Sequence, residues 1–292
     1  MKPAQIQRCV IVPFFALGLF GLGPRDAQSA SSPGDPDGHT NQGVKYAREK
    51  QYDKAIVEFT QAIAVRSKDP RNYANRAFAY KLSGKPEKAI SDFAKVTELR
   101  PKDAEAFADK GQLELEQRKF APAIKDLTRA LELKATLTDS RRLRAYAYLE
   151  KGQWKNAADD YSKVLERSPN DVGVHERRGF AYLNLGRYSE AIADFTKVVQ
   201  ARPKDAEAYR RRGLTYRLAN DYARAAEDFR KVLQLKPNDT DAKARLKYAE
   251  AKLHPQPTIP PRPIPAEAGL EAARKARARL SATATPSPTP TK

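Results

Sequence analysis

One carboxylate recurs along this 292-residue chain at a constant interval. Glu58, Asp92, Asp126, Asp160, Asp194 and Asp228 stand 34 residues apart. Paired carboxylates do acid–base work only when they converge in one pocket. Evenly spaced acids are spread along a repeating chain instead, so they predict a structural role. Sixteen residues before each acid stands Gln42, Arg76, Lys110, Arg144, Arg178 or Arg212, which predicts ion pairs between successive helices. Read as exposed pairs, they would be worth about 0–1 kcal/mol each. Of the histidines, His39 and His175 fall at a slot that Tyr73, Phe107 and Tyr209 fill elsewhere, so they read as packing residues, and His254 stands alone. No His/Asp/Glu cluster has metal-ligand spacing, and no serine lies in a nucleophile elbow. The chemistry-bearing residues thus predict no catalytic residue, no metal site and no cofactor.

The elements that hold these residues repeat with the same period. Ala55, Ala89, Ala123, Ala157, Ala191 and Ala225 are each followed four residues later by Phe59, Phe93, Leu127, Tyr161, Phe195 or Phe229. Twelve residues before each alanine comes Gly43, Ala77, Gly111, Ala145, Gly179 or Gly213. Small residues at both slots let two antiparallel helices approach closely, with the aromatic rings filling the space beside them. Gly84, Gly152, Gly186 and Asn220 suit the left-handed position that ends a first helix. Pro101, Pro169, Pro203 and Pro237 stop second helices, and Asp103, Asp171, Asp205 and Asp239 are placed to cap the next. Asp35-Pro36 and Asp69-Pro70 set aspartate at the N-cap and proline at the first helical position.

This pattern resembles the tetratricopeptide repeat, over about 70% of the chain. The expected fold is all-α: a right-handed α-solenoid of six helix-turn-helix repeats with a C-terminal cap helix. The repeats read as 36–69, 70–103, 104–137, 138–171, 172–205 and 206–239, with the cap at 240–253. Ala242, Leu246, Ala249 and Leu253 should face the last repeat, with Lys243, Lys247 and Glu250 outward. Two departures fall in the third repeat: Glu114 replaces the tyrosine of Tyr46, Tyr80, Tyr148, Tyr182 and Tyr216, and Ala135 replaces the helix-stopping proline. The junction at 134–140 should therefore be the softest in the array.

The resemblance implies a non-catalytic scaffold whose first helices line a groove for a protein partner. A helical wheel places Val44, Phe78, Gln112, Tyr146, Phe180 and Leu214 at one position of that inner face, and Leu115, Leu149 and Leu183 beside it. Glu105, Asp109 and Glu116 make an acidic band in the third repeat. Arg142, Arg177, Arg210, Arg211 and Arg217 concentrate positive charge in the last three. The groove residues expected to meet a partner are Asn75, Phe78, Arg142, Tyr146, Arg177, Phe180, Arg210, Arg211, Leu214 and Arg217. Arginine forks bind carboxylates bidentately, so an extended acidic and apolar peptide fits them. The family's carboxylate clamp is not expected, because Thr40, Val44, Glu105 and Asp109 replace its Lys, Asn, Lys and Arg, and Asn75 alone agrees.

Net charge is +18. Residues 1–30 hold three basic and one acidic side chain and residues 254–292 six and two, which leaves +12 for the array. That excess supports an alternative, an electrostatic binder of an anionic polymer or envelope surface. Lys2 and Arg8, an apolar run from Cys9 to Gly23 and the small residues Ala27, Ser29 and Ala30 form the layout of a signal peptide over residues 1–30. A short lead-in, 31–35, precedes the array. A cleaved signal implies a periplasmic or secreted protein; an uncleaved one would anchor it in the inner membrane. Removing the run also removes Cys9, the single cysteine, so no disulfide is available. Residues 254–292 read as a Pro/Ala/Arg-rich disordered tail, extended through Pro255–Pro265, with a weak helix over Ala266–Leu280. A monomer with no nucleic-acid partner, and no membrane span once the signal is removed, is expected.

Overall fold

The computed structural model describes residues 38–254 and 266–281 and contains no strand among them. The signal segment, Asp35-Pro36, residues 255–265 and everything after 281 lie outside the described residues. Six helix pairs follow in order. They are α1 Gly38–Arg48 with α2 Tyr52–Val65, α3 Pro70–Leu82 with α4 Pro86–Leu99, and α5 Ala104–Glu116 with α6 Phe120–Leu133. Then come α7 Thr138–Glu150 with α8 Trp154–Arg167, α9 Val172–Asn184 with α10 Tyr188–Ala201, and α11 Ala206–Leu218 with α12 Tyr222–Leu235. The cap is α13 Thr240–Leu253, and α14 Ala266–Ser281 lies within the stretch expected to be a disordered tail. Alanine, glutamate, lysine and arginine dominate α14, all strong helix formers.

Each pair turns in the same way. The residues at one slot of the turn, Lys50, Gly84, Arg118, Gly152, Gly186 and Asn220, all have positive φ, between 56° and 73°. The next N–H donates back five residues, as from Lys85 to the Tyr80 carbonyl at 2.8 Å and from Arg187 to Tyr182 at 2.9 Å. This is a Schellman closure, and it repeats in all six pairs. Glycine and asparagine announce four of these turns; at Lys50 and Arg118 the fold imposes the left-handed conformation on ordinary side chains.

Between repeats, carboxylate caps start the next helix. Asp103, Asp171 and Asp239 accept from the N–H groups of Ala106, Val174 and Ala242 at 2.9–3.0 Å. Asp69 accepts from Arg71 and Asp205 from Glu207 and Ala208. The exception is α7, whose N-cap is Leu137, with no side-chain bond. Two guanidinium groups act there instead: Arg141 donates to the Ala135 carbonyl at 3.0 Å and Arg167 to that of Thr136 at 3.4 Å.

The core runs the length of the array. All six slot alanines are fully buried, and Phe59, Phe93, Leu127, Tyr161, Phe195 and Phe229 are 0–1% exposed. The facing residue must be small: a Cβ on Gly43 would sit 2.6 Å from the Phe59 ring and one on Gly111 2.8 Å from Leu127, while Ala77 and Ala145 fill the same slot fully buried. First helices of neighbouring repeats touch, α1 with α3, α5 with α7 and α7 with α9. The first helices therefore line the inner side of the solenoid.

In the cap, Ala242 and Ala249 are fully buried and Leu246 packs against the last repeat. Leu253 is 39% exposed. Glu250 is half-buried and paired with Arg230 at 2.7 Å. Both differ from the wheel reading: Leu253 is the last residue of α13, and Glu250 is drawn to Arg230 of α12.

Candidate interaction groove

The recurring acids and bases form the pairs their spacing predicts. Arg76 grips Asp92 through two bonds of 2.8 Å. Arg144 holds Asp160 at 2.7 and 2.8 Å, Arg178 holds Asp194 at 2.8 Å twice, and Arg212 holds Asp228 at 2.9 and 2.8 Å. The expectation that they are exposed is wrong. Asp92, Asp126, Asp160, Asp194 and Asp228 are only 3–6% exposed, because the second helix presents them to the crevice between repeats. Each arginine also reaches back to the preceding repeat: Arg76 to Thr60, Arg144 to Thr128, Arg178 to Ser162 and Arg212 to Thr196, at 3.0–3.4 Å. Each lies over the tyrosine four residues ahead, such as Arg178 over Tyr182 at 5.5 Å. One guanidinium thus ties three consecutive helices, and its charge is consumed internally.

The third repeat keeps the acid, Asp126, and changes the unit at its other three positions. Lys110 replaces arginine and reaches Asp126 at 2.9 Å; Ala94 stands where the back-reaching hydroxyl would be; Glu114 replaces tyrosine. Glu114 is 4% exposed, and one of its carboxylate oxygens is buried without a hydrogen-bond partner. Burial, and then the neighbouring Asp126 carboxylate, push its pKa up to about 7.

His175 is more than packing. Its Nδ1 lies 2.7 Å from Asp194 Oδ1 and its Nε2 2.9 Å from the Pro169 carbonyl oxygen. His39 sits 2.7 Å from Glu58. Among the described residues no group of His, Cys, Asp and Glu is placed to hold a metal ion.

On the inner face the expected apolar ladder is present but half sunk. Val44, Phe78, Phe180 and Leu214 are half-buried, whereas Tyr146 is only 8% exposed. Phe78 meets Phe93 edge-on at 5.2 Å, Phe180 meets Trp154 at 5.8 Å and Tyr146 meets Phe120 at 6.4 Å. Leu115 and Leu149 are buried and Leu183 is half-buried, so they fill the seams between first helices. Asn75 is half-buried on α3.

The expected arginines separate into two groups. Arg142 pairs with Asp171 at 3.3 Å, and Arg211 with Glu176 at 2.8 Å and Glu207 at 3.4 Å. Arg210 is held by Glu207, Asp239 and Asp241. The acidic band is neutralised likewise, by Lys134 on Glu105 and Lys81 on Glu116. Arg177 and Arg217 differ: neither has a carboxylate partner among the described residues. Arg177 lies over the Tyr146 ring at 5.2 Å and Arg217 over Tyr248 at 5.8 Å. Arg177 also borders the fully buried Tyr161 hydroxyl, whose pKa burial raises while the cation opposes. These ring contacts orient the guanidinium groups and leave their hydrogen-bonding edges without an acid.

Helix pairs stacked through a shared crevice, with first helices along one face, define an all-α repeat solenoid. Tetratricopeptide repeat models match residues 70–103 and 176–240, and a TPR repeat model matches 145–186. The chain is a tetratricopeptide repeat protein. Its fold is similar to that of YrrB, a TPR protein with an unusual peptide-binding site. The identity is 24% over 65% of this chain and 97% of YrrB, with a TM-score of 0.58. The C-terminal part of a TPR repeat-containing protein from Cytophaga hutchinsonii shares 20% identity over 73% of this chain and 85% of its own, TM-score 0.56. MamA shares 23% over 58% and 92%, TM-score 0.53. Such identities speak for the fold alone. No curated protein matches the chain in sequence.

Proposed function

We propose that this chain is a non-catalytic scaffold that holds an extended acidic and apolar protein segment along the first helices of repeats four to six. The observation that carries this reading is Arg177. It is a groove-side cation without an acid, in an array whose other groove arginines apart from Arg217 are neutralised. Phe180 and Leu214, half-buried beside it, offer apolar anchoring. That YrrB has a peptide-binding site supports a similar use of the fold. The signal-like layout of residues 1–30 supports work outside the cytoplasm.

The +12 of the array favours a second reading, attraction to an anionic polymer. Random peptides displayed and selected on the full chain separate the two. On the groove reading, selected peptides carry Asp or Glu beside an apolar residue. They weaken about tenfold or more with Arg177→Glu, since a charge-assisted bond is worth roughly 1.5–3 kcal/mol. They also keep most of their affinity in moderate salt. Selection indifferent to sequence, with binding that collapses as salt rises, supports the polymer instead.

A further inference from the structure

The end of the array treats two kinds of position in opposite ways. Every repeat has glycine or alanine at its close-approach slot, and α13 has Lys247 there. At the neighbouring packing slot, filled by Tyr209 in the last repeat, α13 has Lys243. Both lysines are exposed, and they bar another helix from stacking, whether a seventh repeat or a second copy of the chain. At the groove slot, after Tyr146, Phe180 and Leu214, α13 instead keeps an aromatic residue, Tyr248, at 45% exposure. Stacking is closed here and the groove is left open.

The charge around Tyr248 is also uneven. Arg217 and Lys252 lie over the same ring, each at 5.8 Å, and neither has a carboxylate partner among the described residues. The Arg217 Nε is buried without a hydrogen-bond acceptor. Nearby acids are taken: Asp241 by Arg210 and Arg245, and Glu250 by Arg230. Tyr222 meets Tyr248 edge-on at 6.3 Å and fixes the ring. Two cations share one solvent-facing ring, with no acid to neutralise them.

We propose that Tyr248, Arg217 and Lys252 form a site for an aspartate or glutamate side chain flanked by an apolar residue, so that the cap helix extends the groove. The inference rests on the groove reading and adds to it where the guest segment ends its contact. Charge complementarity selects the carboxylate, and the exposed ring selects its apolar neighbour. The site lies open, so the guest's main chain can run past it; this favours an internal acidic side chain over a chain terminus.

The test uses the full chain and two probes, a random copolymer of glutamate and tyrosine and plain polyglutamate, read by fluorescence anisotropy. The copolymer should bind more tightly than polyglutamate. Arg217→Gln with Lys252→Gln, and separately Tyr248→Ser, should each weaken it roughly tenfold, with helix content and unfolding midpoint unchanged. Tyr248→Phe keeps the ring and should retain binding. If Arg177→Gln weakens the copolymer while the cap variants do not, the cap site is overturned and the groove reading stands. If only the cap variants weaken it, the site stands and the groove of repeats four to six does not. Equal affinity for both probes, or no binding of the copolymer, overturns the site.

Discussion

Arg178 illustrates how much a single side chain does in this fold. Its guanidinium binds Asp194 twice, reaches Ser162 and lies over Tyr182, so removing it leaves a nearly buried carboxylate with only His175 beside it. Breaking a buried pair costs about 3–5 kcal/mol, well above the surface-pair value its exposed reading implied. Arg178→Ala should lower stability on that scale in urea unfolding, and Asp194→Ala should couple to it in a double-mutant cycle. Additive effects would show that the pair does not act as a unit. The pairing was legible from the sixteen-residue spacing. Its burial was not, because depth in the crevice is set by two neighbouring repeats. Glu114 makes the opposite case. Its folded pKa, about 7, lies above the ordinary 4.5, so its contribution is complete below about pH 4.5 and is lost as pH rises through 7. The groups that face it are Lys110, Asp126 and Lys119. Glu114→Gln should therefore gain stability relative to the parent as pH rises from 5 to 8. Parallel pH profiles for the two proteins would show that Glu114 does not titrate in this range.

Within and between helix pairs, a turn is legible in the sequence where an aspartate, glycine or asparagine stands in it. Asp103, Asp171, Asp205 and Asp239 cap as expected, and Gly84, Gly152, Gly186 and Asn220 take the left-handed turn. Lys50 and Arg118 take it with no local signal; only the period shows that a turn must fall there. The junction before α7 is the place where cap and proline are both missing, and Arg141 and Arg167 bind its carbonyls in their stead. Side-chain bonds to bare carbonyls leave the helix N–H groups uncapped, so this junction should be the weakest link. Leu137→Asp should restore the missing cap and stabilise the array by about 1 kcal/mol. Hydrogen exchange should show repeats one to three and four to six opening as separate blocks in the parent, and closer together in the variant. Uniform protection across 134–140 in the parent would place the weak link elsewhere.

For the molecule as a whole, a period of 34 sufficed to give the helix pairs, their order and their core, because each repeat contacts only its neighbours. The face lined by the first helices was legible in the sequence, its charge only in part. The wheel placed Arg142, Arg210 and Arg211 on the inner face, but their partners stand 29 to 35 residues away: Asp171 and Asp239 at the caps of the following helices, and Glu176 on the preceding repeat. Which cations stay without an acid depends on how far successive repeats rotate, and no single repeat encodes that. Arg177 and Arg217 emerge only from the assembled array, and with Phe180 and Tyr248 they make up the line of contact we propose. Site-specific photo-crosslinking in the native cells tests this line most directly, with a photoreactive residue placed in turn at Phe180, at Tyr248 and at the outer positions Lys155 and Lys197. One shared protein partner should be captured from Phe180 and Tyr248 and from neither lysine. Capture from Lys155 or Lys197 with none from Phe180 would contradict it.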